Sequence, residues 1–144
     1  MVDVTRTFTV KQTLPKVTAY LRDFANAEAW DPGTEKCEQI TAGPVAVGTQ
    51  WHNTTKMYGM STELTYSLET DEAEHIVFRG ENKTATSVDD LTFAESGPQS
   101  TEITYHAHIQ FNGIAKLADP IAGVAFERVG DETVDAITAA VEKL

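Results

Sequence analysis

The sequence is poor in cysteine, in positive charge and in long apolar runs. Its single cysteine, Cys37, has no partner within the chain. That excludes an internal disulfide framework and makes a reducing interior the natural setting. Only 11 Lys and Arg stand against 22 Asp and Glu, a formal net charge of -11, and the basic residues form no cluster. Binding to DNA, RNA or an anionic membrane face depends on local positive charge, so no nucleic-acid partner is expected. No run approaches the roughly 20 apolar residues of a membrane span, and Met1-Val2-Asp3-Val4-Thr5-Arg6 lacks the basic start and apolar segment of a signal peptide. The expectation is a cytoplasmic protein with no stable membrane insertion. A serine nucleophile elbow, a Walker loop and a dinucleotide fingerprint are also missing, and no cofactor is expected.

What is present suits one domain over residues 1–144. A chain of 144 residues, 41% of them hydrophobic, can bury roughly 70% of its unfolded surface without a staple or an obligate partner. A monomer or a homodimer is expected. Thr5 to Val10 alternates and is dense in β-branched residues, which predicts a first strand. Pro15, at a first-turn position, precedes Val17, Tyr20, Leu21 and Phe24 at helical spacing, which predicts a short amphipathic helix. Asp31-Pro32-Gly33 stops regular structure, so Trp30 is expected beside a turn.

Strands are then predicted over 35–41, 49–58, 62–69, 75–80, 86–93 and 101–111, separated by short turn signals that mean antiparallel hairpins. Two of them alternate cleanly. Leu64, Tyr66 and Leu68 oppose charged and hydroxyl residues, and Ile103, Tyr105, Ala107, Ile109 and Phe111 oppose Glu102, Thr104, His106, His108 and Gln110. The strands at 35–41 and 75–80 mix apolar and charged residues on both faces. Beyond Gly113 the period changes to 3.6, with a short turn over 114–118 and a helix over 120–144 of about 37 Å. Gly130, mid-helix, is expected to bend or loosen it.

A strongly curved antiparallel sheet gripping one long helix satisfies this order, an α+β architecture of seven strands. The order, together with Trp30-Asp31-Pro32-Gly33-Thr34, Gly43-Pro44-Val45-Ala46-Val47-Gly48-Thr49, Asp89-Asp90-Leu91-Thr92-Phe93 and Thr101-Glu102-Ile103-Thr104-Tyr105, resembles the polyketide cyclase/dehydrase and lipid-transport family of the START-like (SRPBCC) superfamily, in its actinobacterial form. The resemblance covers essentially the whole chain. It implies a helix-grip fold with a deep hydrophobic cavity between sheet and C-terminal helix, and a small hydrophobic or amphipathic molecule as partner. It does not specify an activity, because members include carriers, cyclases and hydrolase-like enzymes.

Candidate residues follow from parity. Asp89 shares a strand face with Leu91 and Phe93, so it points inward if they do; a carboxylate there would be raised in pKa by desolvation and would serve as an acid, a base or an anchor for a ligand hydroxyl. The plainer reading puts Asp89 near a strand end, meeting water or Arg79. Arg79 is a candidate to pair with Asp89 or to hold a ligand carboxylate, against the alternative of a rim salt bridge. Tyr66 and Tyr105 combine an apolar body with a hydroxyl and would pack on a ligand, although core packing explains both. Trp51, Asn53, Thr55 and Met57 share a strand face, expected to point inward; Trp30, Trp51, Met57 and Phe78 join the candidate cavity wall, with Ile121 and Val124 from the helix stripe. His106 and His108 point the same way from one strand, but on its wet side and with His52 and His75 at no recognisable ligand spacing, so no metal is expected. Cys37, far in sequence from any His or basic cluster, reads as an inert thiol.

The expected function is binding, transport or sequestration of such a ligand by apolar burial. The alternative is a cyclase or dehydratase moving protons with Asp89, Tyr66 or Tyr105. A third reading is an acidic interaction module with a solidly packed interior.

Overall fold

The computed structural model describes residues 2–57, 59–113 and 119–144, with the backbone alone at 57, 60 and 119–122. The elements are β1 (Val2–Val10), α1 (Leu14–Leu21), a 3₁₀ turn (Phe24–Asn26), α2 (Ala27–Trp30), β2 (Thr34–Gln39), β3 (Gln50–Met57), β4 (Met60–Glu72), β5 (His75–Glu81), β6 (Ala85–Gly97), β7 (Ser100–Phe111) and α3 (Asp119–Val141). The turn expected over 114–118 lies outside the described residues.

The seven strands form one antiparallel sheet in the order β1-β7-β6-β5-β4-β3-β2. Strands β2 to β7 follow one another as hairpins, whereas β1 lies at the far edge against β7. The segment between β1 and β2 therefore has to travel from one sheet edge to the other, and it does so as α1, the 3₁₀ turn and α2. That crossing carries Phe24 and Trp30 beneath the inner sheet face, where they are 0% and 1% exposed. Asp23 accepts a hydrogen bond from the Ala25 amide and fixes the start of the 3₁₀ turn, so the helix expected to reach Phe24 stops at Leu21 instead.

Several strands outrun their sequence signals. β4 continues through Asp71 and Glu72, which pair with Ile76 and His75; Asp71 shares the inner face with buried Ile76, and the Arg22 guanidinium neutralises it there, so the ladder is not interrupted. Register shifts at Thr34/Lys36, Leu68/Thr70 and Glu95/Gly97 mark bulges, which bend strands and help the sheet curve.

The helix α3 lies against β1 and α2. Gly130, Thr133, Ile137 and Val141 form its buried stripe, with Phe126 partly buried in line with them. α3 runs through Gly130 without a break, and a Cβ there would stand 2.6 Å from Val4 Cγ2. Glycine lets the helix settle onto the edge strand. Arg6, on the same face of β1 as Val4, binds Glu127 Oε2 at 2.7 Å and Asp131 Oδ1 at 2.9 Å, tying α3 down beside that contact.

Candidate functional site

The inner face of the sheet is built from alternate residues of β3 to β7: Trp51 and Asn53, Leu64, Tyr66 and Leu68, Ile76 and Phe78, Asp89, Leu91 and Phe93, and Ile103, Tyr105 and Ala107, each no more than 6% exposed. Asp89 stands in mid-strand. It pairs with Ala107, whose small side chain leaves room for Tyr105 to reach across diagonally. The Tyr105 hydroxyl donates to Asp89 Oδ1 at 2.6 Å. Burial, helped by the negative charge of Asp31 and opposed by the Tyr105 hydrogen bond, pushes the Asp89 carboxyl up to about 7. Burial and the neighbouring acids push the phenols of Tyr66 and Tyr105 well above their ordinary value, so both remain donors at neutral pH.

Rings enclose this acid. Phe24 lies 4.3 Å from Tyr66 and 4.5 Å from Phe78, centroid to centroid; Trp30 meets Phe24 and Tyr105 edge-on, and Trp51 meets Phe24 and Phe78 edge-on. Tyr66 lies over Gly80, its partner across β4 and β5, and a Cβ at 80 would stand 2.5 Å from the ring. Only glycine permits that approach. The Tyr66 hydroxyl is thereby brought beside Ser87, which has the same strand parity as Asp89. The indole N–H groups of Trp30 and Trp51 are buried and meet no acceptor among the described residues. A buried donor left unmet in this way costs about 1–3 kcal/mol.

A second acid stands at the turn after α2. Asp31 accepts from the Gly33 amide at 3.1 Å and from the Thr34 hydroxyl at 2.8 Å; Asn53 Nδ2 donates to Thr34 Oγ1 at 3.0 Å, and Thr55 donates to Asn53 Oδ1. Asp31 is partly exposed as a residue, yet its carboxyl turns inward onto Thr34, and burial raises its pKa against those two hydrogen bonds. Cys37 is buried nearby, its thiol pushed up to about 12 chiefly by desolvation, which makes it a poor nucleophile.

Residues 1–142 match the polyketide cyclase / dehydrase and lipid transport family. The chain belongs to that family. Solved structures similar to this polyketide cyclase/dehydrase family member include a START superfamily protein from Mycobacterium smegmatis, at TM-score 0.81 and 15% identity, covering 98% of this chain and 97% of that one. The Zhui aromatase/cyclase from Streptomyces sp. R1128 superimposes at TM-score 0.82 and 16% identity, covering 98% and 93%. At such identities the likeness is one of fold, and it is the helix-grip fold expected from the sequence. No curated protein matches the chain.

Within this family member, Trp30, Trp51, Tyr66, Phe78, Asp89, Leu91 and Tyr105 all face the interior. Arg79 does not: of the readings open for it, the rim salt bridge holds, and the pairing with Asp89 is corrected. It lies between the inward Phe78 and Gly80, so it points outward, bonds Glu81 Oε1 at 2.7 Å and lines an open polar groove of about 520 Å³ on the outer face with Thr65, Ser67 and Glu69. Val124 is also corrected: it is 77% exposed, on the side of α3 away from the buried stripe. The side chains of Met57 and Ile121 lie outside the described residues. Phe24, Asp31, Thr34, Gly80 and Ser87 belong to the site but were not among its expected residues. Ser87 alone carried a legible signal, its shared parity with Asp89 and Leu91.

Proposed function

We propose that the protein binds a small hydrophobic or amphipathic molecule carrying a hydroxyl or carbonyl oxygen, in the space between the inner sheet face and α3. The observation that carries this reading is the Asp89–Tyr105 pair, a carboxyl and a phenol joined by a 2.6 Å bond and enclosed by rings. Apolar burial, at roughly 25 cal/mol per Å², would supply the affinity, and a few polar groups would set orientation. A ligand carbonyl would also supply the acceptor that the Trp30 and Trp51 indoles lack among the described residues. Admission requires Phe24 to move from between Tyr66 and Phe78, and the 3₁₀ turn that holds it is the segment expected to yield.

One feature favours a second reading, a cyclase or dehydratase. A carboxyl titrating near 7 is half ionised at neutral pH, which suits a general base removing a proton from carbon beside a carbonyl, with a phenol donating to the developing oxyanion.

Native mass spectrometry of protein purified from its own host, followed by denaturing extraction, tests binding. A stoichiometric organic molecule is the expected result, and a clean apo mass counts against it. With that molecule identified, D89N separates the two readings: an enzyme retains binding and loses turnover, whereas a carrier shows no turnover to lose.

A further inference from the structure

We propose that Asp3, His106 and His108 form a binding site for a divalent transition-metal ion of the zinc type, on the outer face of the sheet, where it would join the edge strand β1 to β7. The wet faces of the two strands bring the three side chains together. His106 and His108 are two apart on β7 and point the same way, their ring centroids 5.4 Å apart. The β1–β7 register sets Asp3 directly opposite His108. Asp3 Oδ1 lies 2.9 Å from His106 Nε2 and 4.0 Å from His108 Nδ1, and one ligand atom from each residue falls within 4.8 Å of the others.

Tetrahedral coordination with bonds of about 2.1 Å separates donor atoms by about 3.4 Å, so rotation of half-exposed rings by an ångström or so completes the site. Two neutral imidazoles and one carboxylate are borderline donors that suit zinc, copper or nickel better than magnesium or calcium. Side-chain exposures of 49% for Asp3, 39% for His106 and 29% for His108 leave the fourth position open to water. Asp90 lies directly across from His106 on β6, itself held by His75 Nε2 at 2.8 Å, so a second carboxylate adds negative potential to the site. The sequence alone offered two ligands; the pairing of β1 with β7 supplies the third.

The test is titration of the tag-free full chain with Zn²⁺ against a chromophoric chelator, together with thermal unfolding and imidazole NMR. One-to-one binding is expected, with Tm raised by about 5–10 °C at a hundredfold excess over Kd. H106A and H108A should each weaken binding at least tenfold, and D3N should weaken it less. H52A, whose ring sits beside Glu63 on other strands, should leave binding unchanged. All four side chains are at least partly exposed and none belongs to the buried core, so the unfolding transition of each variant should stay cooperative. No saturable one-to-one uptake, uptake that H106A and H108A leave intact, or imidazole shifts confined to His52 and His75 overturns the site.

Discussion

Tyr105 donates to Asp89 across one diagonal of the β6–β7 ladder, and the alanine at 107 is what leaves the path clear. The pair joins a group that is always protonated at neutral pH to one that is half so. Its consequences can be measured on the protein alone.

The first concerns stability and pH. Asp89 holds its proton up to about 7 in the folded chain, against roughly 3.9 for an unfolded aspartate. A folded pKa raised in this way gives stability that is full below about pH 4 and lost as pH rises through about 7. Urea unfolding of the wild type should therefore weaken across that window by a few kcal/mol, since each pH step between the unfolded and folded values contributes about 1.4 kcal/mol. D89N should flatten most of the decline and be the more stable protein at pH 8. Asp31, raised in the same direction, should leave a shallower slope behind. Equal slopes for wild type and D89N would sink the account.

Removing the phenol should move the acid further in the same direction. The Tyr105 hydrogen bond favours ionised Asp89, so Y105F should raise its carboxyl pKa beyond about 7, followed by ¹³C NMR of the side-chain carboxyl. At pH 8, where the charge would lack that partner, the variant should lose about 1–3 kcal/mol. A fall in the pKa would show that the phenol does not serve the ionised form.

Gly80 is kept small by a ring. G80A places a methyl within 2.5–2.7 Å of three Tyr66 carbons, and overpacking of this kind costs about 1–3 kcal/mol. Near-UV circular dichroism should report the displaced ring. In a Y66A background the same change should cost far less, and additive costs would refute the contact.

At Gly130 two effects oppose each other. Alanine improves helix propensity by about 1 kcal/mol, but its methyl meets Val4 Cγ2 at 2.6 Å. Valine is stiff at χ1 and lies here on a strand clamped to the helix through Arg6, so the clash should win in the wild type. In a V4A background the sign should reverse and G130A should stabilise. Urea midpoints of the four proteins decide the matter.

Alternation made much of the interior legible from the sequence. Tyr66, Tyr105 and Asp89 sit on strands whose parity is unambiguous, because neighbours such as Leu68, Ile103 and Leu91 fix the face. Arg79 failed for want of that contrast: Ile76, Val77 and Phe78 are consecutive apolar residues, and only pairing with β4 and β6 shows which of them point inward. Val124 failed by drift of phase. At 100° per residue it lies roughly 220° around α3 from Ile137, so an apolar spacing that looks continuous winds off the buried stripe. Phe24, Asp3 and the Asp31–Thr34–Asn53 bonds were out of reach for another reason. Each depends on where one element crosses or pairs with another, and no local spacing encodes that.

The bonds running from Thr55 through Asn53 and Thr34 to Asp31 have a direction. Ionised Asp31 obliges Thr34 to donate to it, so the Thr34 oxygen accepts from the Asn53 amide nitrogen, and the Asn53 oxygen is left to receive the Thr55 hydroxyl. An amide cannot hand a proton through from oxygen to nitrogen without becoming an imidic acid, which makes the chain an oriented dipole and not a wire. The β3 side of Asp31 therefore holds the carboxylate in place without relaying a proton to it.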